Sequence, residues 1–115
     1  MTVFRLLLVL LWLVIAAVTV NALIDQGLAA APITFISDLA HPWRAQFYAD
    51  LEAHLLLVGA WMIYRERSRG VGIACAMLTL LLGALFSLAY VLAASIRARG
   101  DARVLLLGER GRDER

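Results

Sequence analysis

Residues Leu6 to Ile24 read LLLVLLWLVIAAVTVNALI, and this stretch decides the class of fold. It contains no ionisable side chain, and its polar breaks are Thr19 and Asn21. At about 1.5 Å per residue, a helix over this stretch nearly matches a bilayer core of roughly 30 Å. We therefore predict a membrane-spanning helix over about residues 4–24.

A secretory signal peptide is the alternative interpretation of the same stretch. Arg5 would form its basic start, residues 6–18 its apolar middle, and Val20-Asn21-Ala22 its cleavage site. The apolar run continues past that site to Ile24, which favours a span that is retained.

Two more apolar runs follow at about residues 45–64 and 71–96, on either side of the arginine-rich stretch 65–69. The chain of 115 residues is 63% hydrophobic and 17% charged, and its charges are concentrated between and after the runs. A soluble protein spreads its charges over its surface, so this clustering indicates lipid. We predict an all-α integral membrane protein, a single membrane domain over 1–115 with three transmembrane helices and a charged tail at 97–115.

The connection between the first two spans, residues 25–44, contains Pro32 and Pro42. These prolines argue against one continuous helix, because each lacks a backbone donor and restricts the residue before it. The residues between them are too apolar for a solvated loop. We predict a short segment lying in the membrane interface, anchored by Phe35 and Trp43.

Three full spans would place the amino terminus and the 65–69 loop on one side of the membrane, and the tail on the other. The arginines near the membrane then divide about evenly between the two sides. The short, dense 65–69 loop favours a cytoplasmic amino terminus.

The second apolar run carries four residues that form a candidate polar site in the membrane: Asp50, Glu52, His54 and Trp61. On a helix, Asp50, His54 and Trp61 share one face, while Glu52 projects to the opposite side. In a functional interpretation, Asp50 and His54 handle a proton or coordinate an ion. In a structural interpretation, both lie at headgroup depth, hydrogen-bonded to the connection or to Arg44.

A metal site is the weaker interpretation of the same region. Asp38 and His41, with Asp50 and His54, would supply two carboxylates and two imidazoles at spacings that a helix permits. His41 precedes a proline, which disfavours a regular ligand helix, and haem ligation would need both histidines inside the bilayer. We predict no metal and no cofactor.

Other function classes have little support. The basic residues flank the apolar runs and form no basic face with interleaved aromatics, so we predict no nucleic-acid partner. No serine stands in a recognisable nucleophile motif, which disfavours an enzyme. The single cysteine, Cys75, excludes an internal disulfide.

The third run places small residues at every fourth position, namely Cys75, Thr79, Gly83 and Ser87. Small residues at this spacing let helix backbones approach closely, which predicts a helix-packing face. A solute pathway lined by Thr79, Ser87 and Tyr90 is the alternative.

The second run begins with Phe47-Tyr48-Ala49-Asp50-Leu51 and ends with Trp61-Met62-Ile63-Tyr64-Arg65-Glu66-Arg67. An aromatic-x-Asp-Leu entrance and an aromatic-x-Glu exit with arginines resemble the middle span of small bacterial three-span membrane families of unknown function. The resemblance implies a bacterial inner-membrane location and a three-span layout, and it implies no activity.

Two hypotheses for function follow. The first is a protein that acts by helix–helix association in the lipid bilayer, as a homo-oligomer or as an accessory subunit of a membrane-protein partner. The second is a small oligomeric channel or transporter that handles protons or a small solute through Asp50 and His54.

Overall fold

The computed structural model of the protein describes residues 1–113 and is all-helical over that range. The helices are, in chain order, α1 (Thr2–Asp25), α2 (Ala30–Asp38), α3 (Pro42–Arg65), α4 (Arg69–Leu82), α5 (Ala84–Arg97), α6 (Ala102–Leu107) and α7 (Arg110–Asp113). The all-α prediction is confirmed for these residues. The last two residues of the predicted tail, 114 and 115, lie outside the described range.

The two prolines of the connection both stand where a helix tolerates them. Pro32 lies in the first turn of α2, and Pro42 is the first residue of α3. The backbone donor that proline lacks would have no partner inside the helix at these positions. The connection is therefore not continuous with the flanking helices, as its prolines predict, and it contains a short helix of its own.

The third apolar run is divided at Gly83, where the backbone has φ 59° and ψ −136°. Residues other than glycine rarely adopt this backbone conformation. The Gly83 amide donates to the Thr79 carbonyl (2.7 Å) and ends α4, while its own carbonyl accepts from the amides of Phe86 and Ser87 at the start of α5. The prediction of one helix over 71–96 is therefore wrong.

The chain reverses direction at this glycine, so that α4 and α5 form a hairpin. Val71 at the start of α4 and Arg97 at the end of α5 line the same cavity. α4 packs on α3, and α5 packs on α1. Arg65 lines that cavity too, and Arg5 binds Ser95, so these arginines lie at one end of the molecule. We call it the arginine end, and the opposite end, where α2 lies, the connection end.

The tail turns back at the arginine end instead of leaving the fold. Arg99 and Gly100 both have positive φ values, of 50° and 93°, and this turn leads into α6. Asp101 caps α6 by accepting from the amides of Arg103 (2.9 Å) and Val104 (3.2 Å). The apolar patch 104–107 is thus helical, and the short helix α7 follows it.

The molecule exposes apolar surface in place of burying it. Of α1, only Leu8 is buried, and large apolar side chains are exposed along all the long helices. The accessible surface is 8250 Å², whereas a soluble globular protein of 12.6 kDa has about 6,200 Å².

Among the described residues, one helix, Thr2–Asp25, is both long and apolar enough to cross a membrane, a test that a signal sequence near the amino terminus also meets. α4 and α5 are apolar but shorter, with 14 residues each.

Candidate functional site

Asp50 and His54 are brought together on the face of α3 that points away from α4. The Nδ1 atom of His54 lies 3.8 Å from the Asp50 carboxylate and 2.7 Å from the Asp50 backbone carbonyl oxygen. Both side chains are exposed, at 69% for His54 and 60% for Asp50. Part of the predicted polar site therefore exists as a pair on a surface that the described chain leaves uncovered.

Glu52 and Trp61 do not join this pair. Glu52 lines a cavity of about 580 Å³ at the tip of the hairpin, together with Tyr48, Leu55 and Gly83. Its position on the opposite side of α3 agrees with the helical periodicity. The Trp61 indole nitrogen donates to the Leu106 carbonyl (3.0 Å), so this side chain holds the tail.

The acid and the arginine of the connection pair with each other instead of with Asp50. The Asp38 carboxylate accepts from Arg44 (2.6 Å) and from the Tyr48 hydroxyl (2.8 Å). The hydrogen bonds from Tyr48 and then from Arg44 hold the pKa of Asp38 below its usual value. The structural interpretation in which Arg44 binds Asp50 or His54 is therefore wrong in its choice of partner.

These contacts also separate Asp38 from Asp50 and His54, three of the four residues considered for a metal. Asp38 is bound at the end of α2, whereas Asp50 and His54 form their own pair further along α3. Within residues 1–113, no three His, Cys, Asp or Glu side chains come close enough to hold a metal ion.

The predicted packing face is used only in part, because Gly83 divides it between two helices. Thr79 is fully buried against α3, and its hydroxyl contacts the Met62 sulfur at 3.2 Å. Cys75 is partly exposed on α4, and Ser87 lies on α5 beyond the turn. The close approach of α3 and α4 also involves Gly59 of α3 and Gly72 of α4, the second of which lies near the predicted face.

A second polar cluster, centred on Arg65, lies at the arginine end. Arg65 is 6% exposed and donates to the Leu105 carbonyl (2.8 Å), the Glu66 carboxylate (3.1 Å) and the Tyr90 hydroxyl (3.1 Å). Tyr90 in turn donates to Glu66, and the Arg65 guanidinium also lies over the Trp61 ring. This cluster joins α3, α5 and the tail.

Arg5 makes the corresponding contact between α1 and α5. Its guanidinium donates to the hydroxyl (3.1 Å) and the backbone carbonyl (2.7 Å) of Ser95, which is fully buried. By sequence alone, Arg5 and Arg65 are charges that flank apolar runs. Apart from the adjacent Glu66, their hydrogen-bond partners lie 25 to 90 positions away along the chain, so no local pattern could identify these contacts.

Comparison of the chain with protein-family profiles, with curated proteins and with solved structures gave no match. The resemblance of residues 47–67 to small three-span families therefore stays a prediction.

Proposed function

We propose that this chain is a small multi-pass protein of the bacterial inner membrane that works by helix–helix association and has no catalytic role. The observation that carries the proposal is the exposed Asp50–His54 pair on α3. The partner is a second copy of the chain, or a larger membrane complex to which the chain is an accessory subunit.

The lengths of the helices support a membrane placement with two full spans and a shorter hairpin. Arg5 to Asp25 of α1 extends about 30 Å, and Arg44 to Arg65 of α3 about 31 Å, each close to the thickness of the bilayer core. α4 and α5 extend only about 21 Å each. We infer that they enter from the arginine end and return to it, which replaces the third span of our prediction.

In this placement His54 lies near the middle of the bilayer, about 15 Å from the level of Arg44. An ionisable side chain at that depth costs at least about 2.5–3.5 kcal/mol on the insertion scale, and such groups face a partner or water and not lipid. The described chain covers neither Asp50 nor His54. A neighbouring helix on this face of α3 would remove that cost, which favours association.

The hairpin also changes the balance of charge across the membrane. It brings the tail to the side of Arg5, so the even division of arginines expected for three full spans no longer holds. Of the described arginines, Arg44 alone lies at the connection end, and the arginine end carries Arg5, Arg65, Arg67, Arg69, Arg97, Arg99, Arg103, Arg110 and Arg112. This excess supports a cytoplasmic arginine end and therefore a cytoplasmic amino terminus.

Crosslinking of adjacent positions on α3 tests the association. Leu57 lies on the Asp50–His54 face of α3. The preceding residue, Leu56, points about 100° away from Leu57 around the helix axis, and both side chains are exposed. In a Cys75→Ser background, we expect Leu57→Cys to give a crosslinked dimer in intact membranes with a short bismaleimide. Leu56→Cys, the matched control, should give much less.

The product identifies the kind of partner. An adduct of twice the monomer mass indicates a homo-oligomer, and a heavier adduct with a different membrane protein indicates an accessory subunit. Monomer alone at both positions would contradict the proposal.

The short distance within the Asp50–His54 pair favours a second candidate function, a channel or transporter for protons or a small solute. The Asp50 carboxylate and the His54 imidazole lie 3.8 Å apart on an exposed face, so both could contact a proton or a cation in a pathway there. Asp50→Asn and His54→Ala should then abolish flux in proteoliposomes, while Glu52→Gln, on the other side of α3, should retain it. Unchanged flux in the first two variants would exclude this candidate.

A further inference from the structure

Two adjoining cavities at the arginine end share Arg97, Val104 and Arg112. The larger, of about 760 Å³, extends along the start of the tail to Arg99. The smaller, of about 350 Å³, extends to Arg65 and Ser68, beside the start of α4. The two form one cleft between the hairpin and the tail, and we call it the tail cleft.

The tail cleft has more positive than negative charge along its smaller cavity. Two of its arginines are paired with carboxylates, Arg65 with Glu66 (3.1 Å) and Arg67 with Glu109 (3.4 Å). Arg97 and Arg112 also line this cavity, and neither makes an ion pair with any described residue. A surplus of two guanidiniums is the charge pattern that attracts a phosphate group.

The two unpaired arginines are held next to each other. Arg112 donates to the backbone carbonyl of Arg97 at 2.9 Å, which ties α7 to the end of α5. Both arginines line both cavities, and a phosphate bound there can accept from more than one guanidinium. The tail cleft is therefore arranged for an anion.

Exposed apolar side chains lie beside these arginines. Ile96, 56% exposed, lines the larger cavity directly before Arg97, and Val71, 50% exposed, lines the smaller one. Guanidiniums that adjoin an exposed apolar surface suit an amphiphile, whose phosphate lies at the polar boundary and whose acyl chains run along the helices. A free phosphate ion has no apolar group that could contact these exposed side chains.

We propose that the tail cleft binds the headgroup phosphate of an anionic phospholipid, through Arg97 and Arg112. The inference rests on the membrane placement proposed above, because only that placement puts the cleft at headgroup depth. The bound lipid would join the hairpin to the tail and stabilise the turn at Arg99 and Gly100.

Native mass spectrometry of the purified full-length protein tests this site. The protein is titrated with phosphatidylglycerol or with the zwitterionic phosphatidylcholine, and the lipid-bound fraction of the monomer peak is measured. We expect Arg97→Gln and Arg112→Gln each to weaken phosphatidylglycerol binding about tenfold, because each loses an ionic hydrogen bond. The matched control is Arg110→Gln, which removes the same charge two positions away at a residue that lies over the Tyr64 ring.

The proposal requires that phosphatidylglycerol bind better than phosphatidylcholine, that Arg110→Gln retain binding, and that excess inorganic phosphate fail to displace the lipid. Equal binding of the two lipids, equal losses in all three variants, or displacement by inorganic phosphate would overturn it. Lipid binding is read on the monomer, so a failed crosslinking experiment on α3 leaves the result interpretable.

Discussion

Single side chains join the helices of this protein, and Arg65 is one that contacts several of them. It is buried at the end of α3 and binds Leu105 in the tail, Tyr90 in α5 and the neighbouring Glu66. A buried guanidinium is stable only when its donors are matched by acceptors. In this cluster the contacts of Arg65 with Leu105 and Tyr90 also hold α3 to the tail and to α5.

Removal of the Tyr90 hydroxyl should weaken this junction. Tyr90→Phe keeps the ring under the Arg65 guanidinium but deletes an acceptor for Arg65 and a donor to Glu66. We expect a loss of about 1–2 kcal/mol in the free energy of unfolding in detergent micelles. Tyr64→Phe is the matched control, since no described residue forms a hydrogen bond with that hydroxyl, and an equal loss there would contradict the assignment.

The pKa of the Asp38 carboxyl provides a test of the hydrogen bond that it accepts from Tyr48. Its pKa is lowered in the folded protein, so its contribution to stability is present above the unfolded pKa, about 3.9, and is lost as the pH falls through the lowered value. Tyr48→Phe removes the largest cause and should raise the pKa of Asp38 towards its usual value. A carboxyl-carbon NMR titration measures this directly, and Tyr64→Phe should leave it unchanged.

At the scale of elements, close contact between α3 and α4 depends on two glycines. A Cβ atom added to Gly72 would lie 2.7 Å from the Ile63 Cα atom, which is backbone and cannot rotate away. One added to Gly59 would lie 3.1 Å from the Ala76 Cβ atom. Small residues therefore do let α3 and α4 approach closely. Glycines on both helices form this contact, whereas Gly83 and Ser87 of the predicted face do not.

Alanine at these glycines should separate the two helices to different extents. We expect Gly72→Ala to destabilise the protein by about 1–3 kcal/mol, because α4 must move away from α3, and Gly59→Ala to cost less. Gly70→Ala, on the same helix, meets only the Ser68 hydroxyl at 3.8 Å and should be neutral or slightly stabilising. The ranking is measured by unfolding in micelles, and equal effects at positions 70 and 72 would show that contact with α3 is not the cause.

At the scale of the whole molecule, the distribution of apolar and charged surface defines two ends and an apolar middle. Large apolar residues are exposed along α1, α3 and the hairpin, while nearly all described arginines lie at one end. This arrangement agrees with the proposed placement, in which the arginine end faces the cytoplasm. The principal extents of 51 × 26 × 24 Å leave room for polar regions beyond a core of roughly 30 Å.

The side of the membrane on which the tail lies distinguishes the hairpin arrangement from an arrangement with a full third span. In a Cys75→Ser background, we expect Thr2→Cys and Asp113→Cys to react with an impermeant maleimide only in inside-out vesicles. Leu28→Cys, in the connection, should react only in right-side-out vesicles. A single helix over 71–96 would instead place Asp113→Cys with Leu28→Cys, and this outcome would contradict both the hairpin and the tail cleft.

The amino-acid sequence by itself determined the helical class, the first helix, the break at the two prolines and the Asp50–His54 pair. Hydropathy, proline chemistry and a period of 3.6 residues are local properties, so they can be read without knowledge of contacts. Tertiary structure alone decided the reversal at Gly83, because a glycine in an apolar run suits both a helix interior and a turn with positive φ. The same reversal brought the tail to the arginine end and gave Arg65 its partners, which only long-range packing could select.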